Sequence, residues 1–386
     1  MREIYLDNSA TTPLSGEVVQ KITECFGIYG NPSSLHNMGQ RAEAELKNAR
    51  LNVAKALGVH MPVSSQIVFT ASGSEANNLA IIGTARAKQR RVSNRILITD
   101  CEHPSVYNTA QSLVNEGFEI IEIPTKGGNL DFEAIESALD VPIFMASFML
   151  VNNEIGALFD VKRAFSMIKS KYPNAVCHTD AVQGFLKCKF TPQALGADLV
   201  TISGHKIHAP KGIGALYVSN EIIKAKKISP IIFGGGQENG LRSGTENMLG
   251  ICGFGEAARC GYASIDTNIV HFGELHAYVI EKLSSIGIQV NTAKTHVSHI
   301  VSITLPNTKS ETMLHYLSSK GIYVSSGSAC SSHSNKKSRT LLAFGLSAQE
   351  ADCTLRISFS SYNTKDDVEQ LCEALKCGIS TLIKIK

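Results

Sequence analysis

Residues 66–78 read QIVFTASGSEANN, and this stretch shows most clearly how the chain is built. Its first five residues form an apolar, β-branched run, which predicts a buried strand. The small residues 72–74 follow, and Glu75 enters the first turn of a helical pattern. The stretch therefore predicts a strand that leads directly into a helix, the repeating unit of an open α/β sheet.

The same alternation continues over most of the first 260 residues. Helical patterns at 75–88, 106–116 and 161–172 separate short apolar runs. Several of these runs are apolar on both faces, as expected for a sheet that helices cover on each side. We therefore predict the α/β fold class, with a seven-stranded, mainly parallel sheet. The predicted strands are 66–70, 95–99, 118–123, 143–148, 175–179, 198–203 and 214–218.

The pattern changes after about residue 260. A long helix is predicted around 271–285, then strands near 299–305, 322–325 and 353–359, and a final helix at 365–379. We predict two domains. Residues 15–260 would form the large domain, and residues 1–14 together with 261–386 would form a small α+β domain.

Composition excludes several classes of protein. The net charge is +3, which is too small to indicate a basic surface for nucleic-acid binding. Of the 386 residues, 43% are hydrophobic. No apolar run reaches the ~18 residues of a membrane span, and the N-terminus lacks the apolar region of a secretory signal. The 10 cysteines form no C-x-x-C pair, which is typical of reduced thiols. We expect a cytoplasmic protein without membrane or nucleic-acid partners.

Polar residues follow several predicted strands, at the edge where open α/β sheets bind ligands. After the first strand, Gly73 and Ser74 leave backbone N–H groups open at the positive end of a helix dipole, which suits a phosphate group. An ordinary serine N-cap is the alternative. After the second strand, His103 is either a ring that stacks on an aromatic ligand, a general base, or a surface histidine.

Two further strand ends carry Asn153, and Asp180 with Gln183. A carboxylate at a buried strand end needs a partner, because an unpaired buried charge is costly. A protonated ring nitrogen would supply that partner, and capping of the next helix is the alternative use of Asp180.

The stretch TISGHKIHAPKGIG (201–214) places Ser203, His205 and Lys206 after a strand. A lysine shielded among neutral groups has a lowered pKa and can form a Schiff base, whereas most loop lysines are simply solvated. Taken together, a phosphate cradle, a ring, an acid and a lysine on successive strand ends fit pyridoxal 5′-phosphate (PLP).

Two other patterns are rejected. Gly253-Phe-Gly255-x-x-Ala258 matches a loose dinucleotide fingerprint, but no strand precedes it. The histidine pairs 205/208 and 296/299 have i, i+3 spacing without companion ligands. We expect no metal site.

The whole chain resembles the cysteine desulfurases, which belong to the class-V, fold-type I PLP-dependent aminotransferases. The resemblance extends in order over nearly the full length and has the features of the long-loop subgroup. It rests on YLDNSATTP (5–13), GNPSSLH (30–36), VNNEIG (151–156), HTDAVQ (178–183), SGHKIHAPKGIGALYV (203–218), GGGQENGLRSGTEN (234–247), SSGSAC (325–330) and LRISFS (355–360).

The resemblance implies a role for each matching residue. Lys206 would carry PLP through a Schiff base, Asp180 would pair with the pyridine nitrogen, and His103 would stack on the ring. Gln183 would bind the phenolic oxygen. The phosphate would be held by Gly73, Ser74, Ser203, His205 and, from the partner subunit of a homodimer, Thr245.

The resemblance also implies the reaction. Asn153 and Arg356 would hold the carboxylate of L-cysteine, and Cys330 would receive its sulfur as a persulfide while L-alanine leaves. The sulfur would then pass to an acceptor protein, either an iron–sulfur scaffold or a tRNA-thiolation enzyme. A selenocysteine lyase, or a degenerate homologue that only binds PLP or a partner, are the alternatives.

Two departures from the family pattern bear on these expectations. The phosphate loop, which usually reads SGATE, here reads ASGSE (71–75) and keeps a hydroxyl and open N–H groups. Only 30 residues follow Arg356, where long-loop members that serve iron–sulfur scaffolds often carry a longer tail. The sequence therefore supports an iron–sulfur scaffold less well than a tRNA-thiolation enzyme as the sulfur acceptor.

Overall fold

The computed structural model describes residues 2–59, 65–87, 93–326 and 338–382. The predicted nucleophile Cys330 and most of the serine-rich stretch around it lie outside these residues.

All seven predicted strand segments form strands of one sheet, so the predicted α/β class and strand number are confirmed. Short apolar runs form these strands because helices cover the sheet and bury them on both faces, except for the edge strand 119–123, which is partly exposed. The strands are β2 (Ile67–Thr70), β3 (Arg95–Thr99), β4 (Glu119–Ile123), β5 (Met145–Ser147), β6 (Val176–Asp180), β7 (Leu199–Ser203) and β8 (Gly214–Val218).

The order across this sheet is β2-β8-β7-β6-β5-β3-β4. Strand β8 is antiparallel to both β2 and β7, and the other neighbouring pairs are parallel. Six strands therefore end at the same edge. The loops that carry the predicted site residues follow β2, β3, β5, β6 and β7, so the topology brings them to one edge of the sheet.

Thirteen helices are present in the described residues. They are α1 (Gly16–Cys25), α2 (Asn37–Ala56), α3 (Gly73–Ala85), α4 (Pro104–Ser112), α5 (Phe132–Ala138), α6 (Val161–Lys171), α7 (Pro192–Leu195), α8 (Asn220–Lys224), α9 (Met248–Ser285), α10 (Ser310–Ser319), α11 (Arg339–Phe344), α12 (Ala348–Asp352) and α13 (Lys365–Thr381).

Helix α9 begins at Met248, so the predicted start near residue 271 is wrong. Its first half contains glycines, which weaken an isolated helix and hide the helical pattern. These glycines face close neighbours: a Cβ on Gly255 would lie 2.6 Å from the Cβ of Ala49 in α2. Close packing against neighbouring helices therefore outweighs the low helix propensity of the glycines in the first half of α9. The domain division at 260 falls inside this helix and stays a prediction.

A smaller antiparallel sheet has the order β12-β13-β10-β9. Its strands are β9 (Gln289–Asn291), β10 (Ile300–Thr304), β12 (Ser325–Ser326) and β13 (Thr354–Ser358). The N-terminal strand β1 (Ile4–Tyr5) pairs in parallel with β11 (Ile322–Tyr323). Ile4 and Leu6 belong to the same buried cluster as Phe272 and Leu355, so the first residues pack with the C-terminal part of the chain.

No helix in the described part of the chain is long and apolar enough to cross a membrane. The nine cysteines within the described ranges are all free thiols.

Candidate functional site

A cavity of about 310 Å³ lies at the carboxyl edge of the large sheet. Strands β2, β3, β5, β6 and β7 contribute their following loops to its wall, and Arg356 on β13 and the N-terminal segment close it. Of the predicted site residues within the described ranges, all but Thr245 line this cavity, and Cys330 lies outside those ranges. Those that line it are Gly73, Ser74, His103, Asn153, Asp180, Gln183, Ser203, His205, Lys206 and Arg356.

The first turn of α3 forms one end of the cavity. Ser72 is the N-cap, and its Oγ accepts a hydrogen bond from the backbone N–H of Glu75 at 3.1 Å. The loop therefore has the serine N-cap, and the phosphate cradle stays a prediction that is compatible with it, because the cap leaves the N–H groups of Gly73 and Ser74 without intrahelical acceptors. A Cβ on Gly214 would lie 2.7 Å from the backbone of Ser72, so the loop rests directly on β8.

Ser203 and His205 flank the same end. The Ser203 hydroxyl is buried and has no hydrogen-bond partner among the described residues. His205 Nδ1 lies 3.3 Å from the hydroxyl of Thr11, and burial lowers the pKa of its ring to about 4. An orphaned hydroxyl beside open helix N–H groups fits a phosphate, because an anion would satisfy both.

Asp180 ends β6 inside the cavity wall, where it is almost fully buried. Its Oδ2 accepts a hydrogen bond from Asn77 Nδ2 at 2.7 Å, and its Oδ1 accepts from the backbone N–H of Val182 at 3.0 Å. The carboxylate is thus fixed in position and retains acceptor capacity for a protonated ring nitrogen.

Lys206 follows β7 in a short 3₁₀ turn. Its ammonium donates to the backbone carbonyls of Ser9 at 2.5 Å and Ala10 at 2.7 Å. Gln183 Nε2 donates to the same Ser9 carbonyl at 2.9 Å. The N-terminal segment therefore holds the lysine within the cavity and links it to Gln183.

His103 caps α4 at the cavity wall. Its Nδ1 accepts from the backbone N–H of Ser105 at 3.2 Å, which assigns the ring proton to Nε2. Burial lowers the pKa of the ring. A neutral, fixed ring suits stacking on an aromatic cofactor.

Arg356 lies on β13 with only 6% of its surface exposed. Its Nη1 donates to the backbone carbonyl of Asn153 at 2.8 Å, and its Nη2 pairs with Asp7 Oδ1 at 2.8 Å. Its Nε is buried without a partner among the described residues. A cation with an unused donor at the cavity wall is suited to bind a substrate carboxylate.

If the cavity binds L-cysteine, as the resemblance implies, Arg356→Ala should weaken that binding by about 1.5–3 kcal/mol, the usual value of hydrogen bonds to a charged group. The loss also leaves Asp7 unpaired, so its carboxylate repels the substrate. The measurement is the KM for L-cysteine, with retention of PLP as the second readout. Arg339→Ala, which removes an exposed guanidinium paired with Glu122 at 2.6 Å, is the control. An unchanged KM would contradict the assignment of Arg356.

Glu102 is a buried carboxyl group next to His103. Its Oε1 accepts from the Thr99 hydroxyl at 2.7 Å and from the backbone N–H of Met149 at 2.8 Å. Burial raises its pKa from 4.5 to about 8, so the group is protonated at neutral pH. It joins the loop that carries His103 to the loop after β5.

Glu102→Gln should make the protein more stable than its parent above pH 8. The folded parent keeps this proton up to about pH 8, whereas the unfolded chain releases it near pH 4.5, so the parent loses stability as pH rises between these values. The gain should be on the order of 5 kcal/mol at pH 9 and absent near pH 4.5. Urea unfolding across pH 5–9 measures it. Glu133→Gln is the control for the loss of one surface carboxylate. The prediction would be contradicted if the free energy of unfolding changed with pH equally in Glu102→Gln and in the parent.

Half of the residues that line the cavity were absent from the predicted set, and two of these, Ser9 and Asn77, hold predicted site residues in place. Ser9 supplies the carbonyl shared by Lys206 and Gln183, and Asn77 holds Asp180. Both lie in stretches that the sequence analysis quoted. Neither has a side chain whose type indicates chemistry, so only the geometry identifies them.

Thr245 lines a different cavity, together with Glu238 and Arg242. Arg242 pairs with Glu75 of α3 at 2.9 Å. The segment around Thr245 is therefore attached close to the start of α3 but does not reach the main cavity of its own chain.

The family model described as "Aminotransferase class-V" matches residues 4–371. The "Cysteine desulfurase IscS" of Dictyoglomus turgidum is 35% identical over 386 residues, covering 99% of this chain and 95% of that protein. The "Putative cysteine desulfurase IscS 1" of Bacillus subtilis is 34% identical, with 96% of each chain covered.

Solved structures agree in fold. A structure described as "NIFS-LIKE PROTEIN" superposes with a TM-score of 0.91 at 32% identity, covering 99% of this chain and 100% of that one. A structure described as "SspA in complex with cysteine" superposes with a TM-score of 0.79 at 31% identity, covering 94% and 100%.

Proposed function

The chain belongs to the class-V aminotransferase family, and we propose that it is a PLP-dependent cysteine desulfurase that converts L-cysteine to L-alanine and leaves the sulfur on Cys330. The observation that carries this is the convergence of Lys206, Asp180, Arg356 and a phosphate cradle on one cavity. The relatives are named as cysteine desulfurases, which supports this activity over the two alternatives.

PLP fits the residues present. The orphaned Ser203 hydroxyl and the first turn of α3 would hold its phosphate, and Asp180 would hold the ring nitrogen in its protonated form. When bound, PLP supplies an electron sink for the carbanion that forms at Cα of the substrate. His103 would stack on the ring, and Gln183, which keeps a second N–H beyond the one given to Ser9, would bind the phenolic oxygen.

Lys206 would attach the cofactor and then move protons. Its Nζ is held by the carbonyls of Ser9 and Ala10, so the amine stays within the cavity when it is not bound to the cofactor. The free amine takes the proton from Cα of L-cysteine, which a positioned base accelerates by about 10²–10⁴-fold.

Arg356 and Asn153 would orient L-cysteine by its carboxylate. The thiolate of Cys330 attacks the substrate sulfur. The bond between that sulfur and Cβ breaks, and a sulfur–sulfur bond forms. Cβ receives a proton, so one L-cysteine and one enzyme thiol yield one L-alanine and one persulfide, without an external oxidant or reductant.

A homodimer would complete the phosphate cradle with Thr245 of the second copy. Thr245 lies outside the main cavity of its own chain, as this arrangement requires. Large apolar side chains near the matching motifs support a subunit interface: Tyr29 and Phe233 are each 82% exposed, and Leu35 is 92% exposed.

The persulfide would pass to a second protein, either an iron–sulfur scaffold or a tRNA-thiolation enzyme. The choice between them and the cytoplasmic location stay predictions. Both acceptors require that the persulfide on Cys330 reach a thiol of another protein.

The function is tested by incubating the purified holoenzyme with L-cysteine and a thiol reductant. Equal amounts of L-alanine and sulfide should form over many turnovers. The same assay with L-selenocysteine separates the alternatives, because a selenocysteine lyase would turn over that substrate while leaving L-cysteine almost unchanged. Absence of L-alanine with either substrate would indicate a homologue that only binds PLP or a partner.

A further inference from the structure

We propose that Cys25, Glu45 and Cys252 form a binding site for a thiophilic divalent cation, Zn²⁺, remote from the cavity described above. The two Sγ atoms and a carboxylate oxygen all lie within 4.8 Å of one another. Each residue comes from a different helix, namely α1, α2 and α9. Side chains that converge from facing helices are a common way to build a metal site inside a helical bundle.

The packing of the three helices fixes the ligands. A Cβ on Gly253 would lie 3.0 Å from Ile22 Cδ1 of α1, and one on Gly255 would lie 2.6 Å from Ala49 Cβ of α2. These crossing points lie within one helical turn of Cys25, Glu45 and Cys252. The Gly-Phe-Gly motif that was rejected as a dinucleotide fingerprint therefore brings α1 and α2 close enough to α9 to assemble the cluster.

The ligand set matches the chemistry of Zn²⁺. Thiolates favour soft cations, and zinc sites combine cysteine with carboxylate ligands in tetrahedral geometry. Zinc–sulfur bonds of about 2.3 Å place tetrahedral ligands about 3.5–3.8 Å apart, so shifts of about 1 Å or less close the cluster around the ion. Cys25 is the last residue of α1, where the negative end of the helix dipole favours a cation.

The charges around the cluster also balance. Lys21 Nζ pairs with Glu45 Oε2 at 2.8 Å. Two thiolates and one carboxylate bring three negative charges, and a divalent cation together with Lys21 brings three positive charges. The ion would bind the second carboxylate oxygen, and Lys21 would keep its present partner.

A second cavity gives the ion access and an open coordination position. It has a volume of about 230 Å³, and Glu45 and Cys252 line it together with Asn48, Asn52 and Glu256. Water in this cavity would complete the tetrahedron. No short motif indicates this site, because Cys25, Glu45 and Cys252 lie far apart along the chain.

The test uses the full-length holoenzyme with Cys330→Ala, which removes the thiol of the proposed reaction. The protein is reduced, freed of metal with a chelator and titrated with Co²⁺ alone. Tetrahedral Co²⁺ absorbs in the red, away from PLP. We expect one Co²⁺ per chain, displaced by Zn²⁺. Cys25→Ala and Cys252→Ala should abolish these bands, and Glu45→Gln should weaken binding at least about tenfold, as loss of even an outer partner does.

Cys372→Ala, which removes a buried thiol from the cluster that contains Phe272 and Leu355, is the matched control and should bind Co²⁺ like its parent. The proposal is overturned if the parent shows no tetrahedral bands, or if the cluster variants bind as well as the parent. Should a cysteine variant fail to fold by circular dichroism, Glu45→Gln decides, because it preserves side-chain size. An affinity equal to that of the parent would then refute the site.

Discussion

Lys206→Ala should lose covalent attachment of PLP and lower desulfurase turnover by about 10⁴-fold or more, the upper end of the range for a positioned proton carrier. The reason is specific to this side chain. Its ammonium is held within the cavity by the carbonyls of Ser9 and Ala10, and no other lysine lines the cavity among the described residues. The same atom would both anchor the cofactor and carry the substrate proton.

The measurement is reduction with borohydride followed by peptide mass spectrometry. The parent should carry the pyridoxyl group on Lys206, and the variant should carry none on any lysine. Lys211→Ala, an exposed lysine five residues further on, is the matched control and should label like the parent. A pyridoxyl group retained in Lys206→Ala would show that another residue anchors the cofactor.

Cys330→Ala should stop sulfur release from L-cysteine while PLP stays bound. Loss of the nucleophile should lower turnover by about three orders of magnitude or more. None of the residues proposed to hold PLP is Cys330, so the absorption spectrum of bound PLP should match that of the parent. Sulfide release and the spectrum are measured on the same sample.

Cys377→Ala is the control for this variant, because it removes an exposed thiol from the final helix α13. Its turnover should equal that of the parent. Unchanged sulfide release from Cys330→Ala would mean that another thiol, or the reductant itself, accepts the sulfur.

The strand segments and the edge of the sheet that carries the cavity were predictable from local sequence. Runs such as 66–70 and 199–203 are buried on both faces, and this continuous apolar character is visible without any tertiary information. Once the strands are parallel, their carboxyl ends must share an edge. The grouping of Gly73, Asp180 and Lys206 in one cavity is therefore predictable from the chain alone.

The features that the sequence did not predict depend on contacts between distant segments. Helix α9 starts earlier than expected because its glycines pack against α1 and α2, and helix propensity gives no hint of that packing. The Ser9 carbonyl that holds Lys206 belongs to the backbone, so the residue type at position 9 does not indicate this contact. The pairing of Asp7 with Arg356 joins residues at opposite ends of the chain.

In the proposed reaction, sulfur moves from L-cysteine to Cys330. The decisive experiment mixes the holoenzyme with L-cysteine in the absence of reductant, traps thiols by alkylation and analyses the peptides by mass spectrometry. We expect one L-alanine released per chain and one additional sulfur atom on the peptide that contains Cys330. L-alanine that accumulates while this peptide stays unmodified, or a persulfide found on a different cysteine, would contradict the proposed reaction.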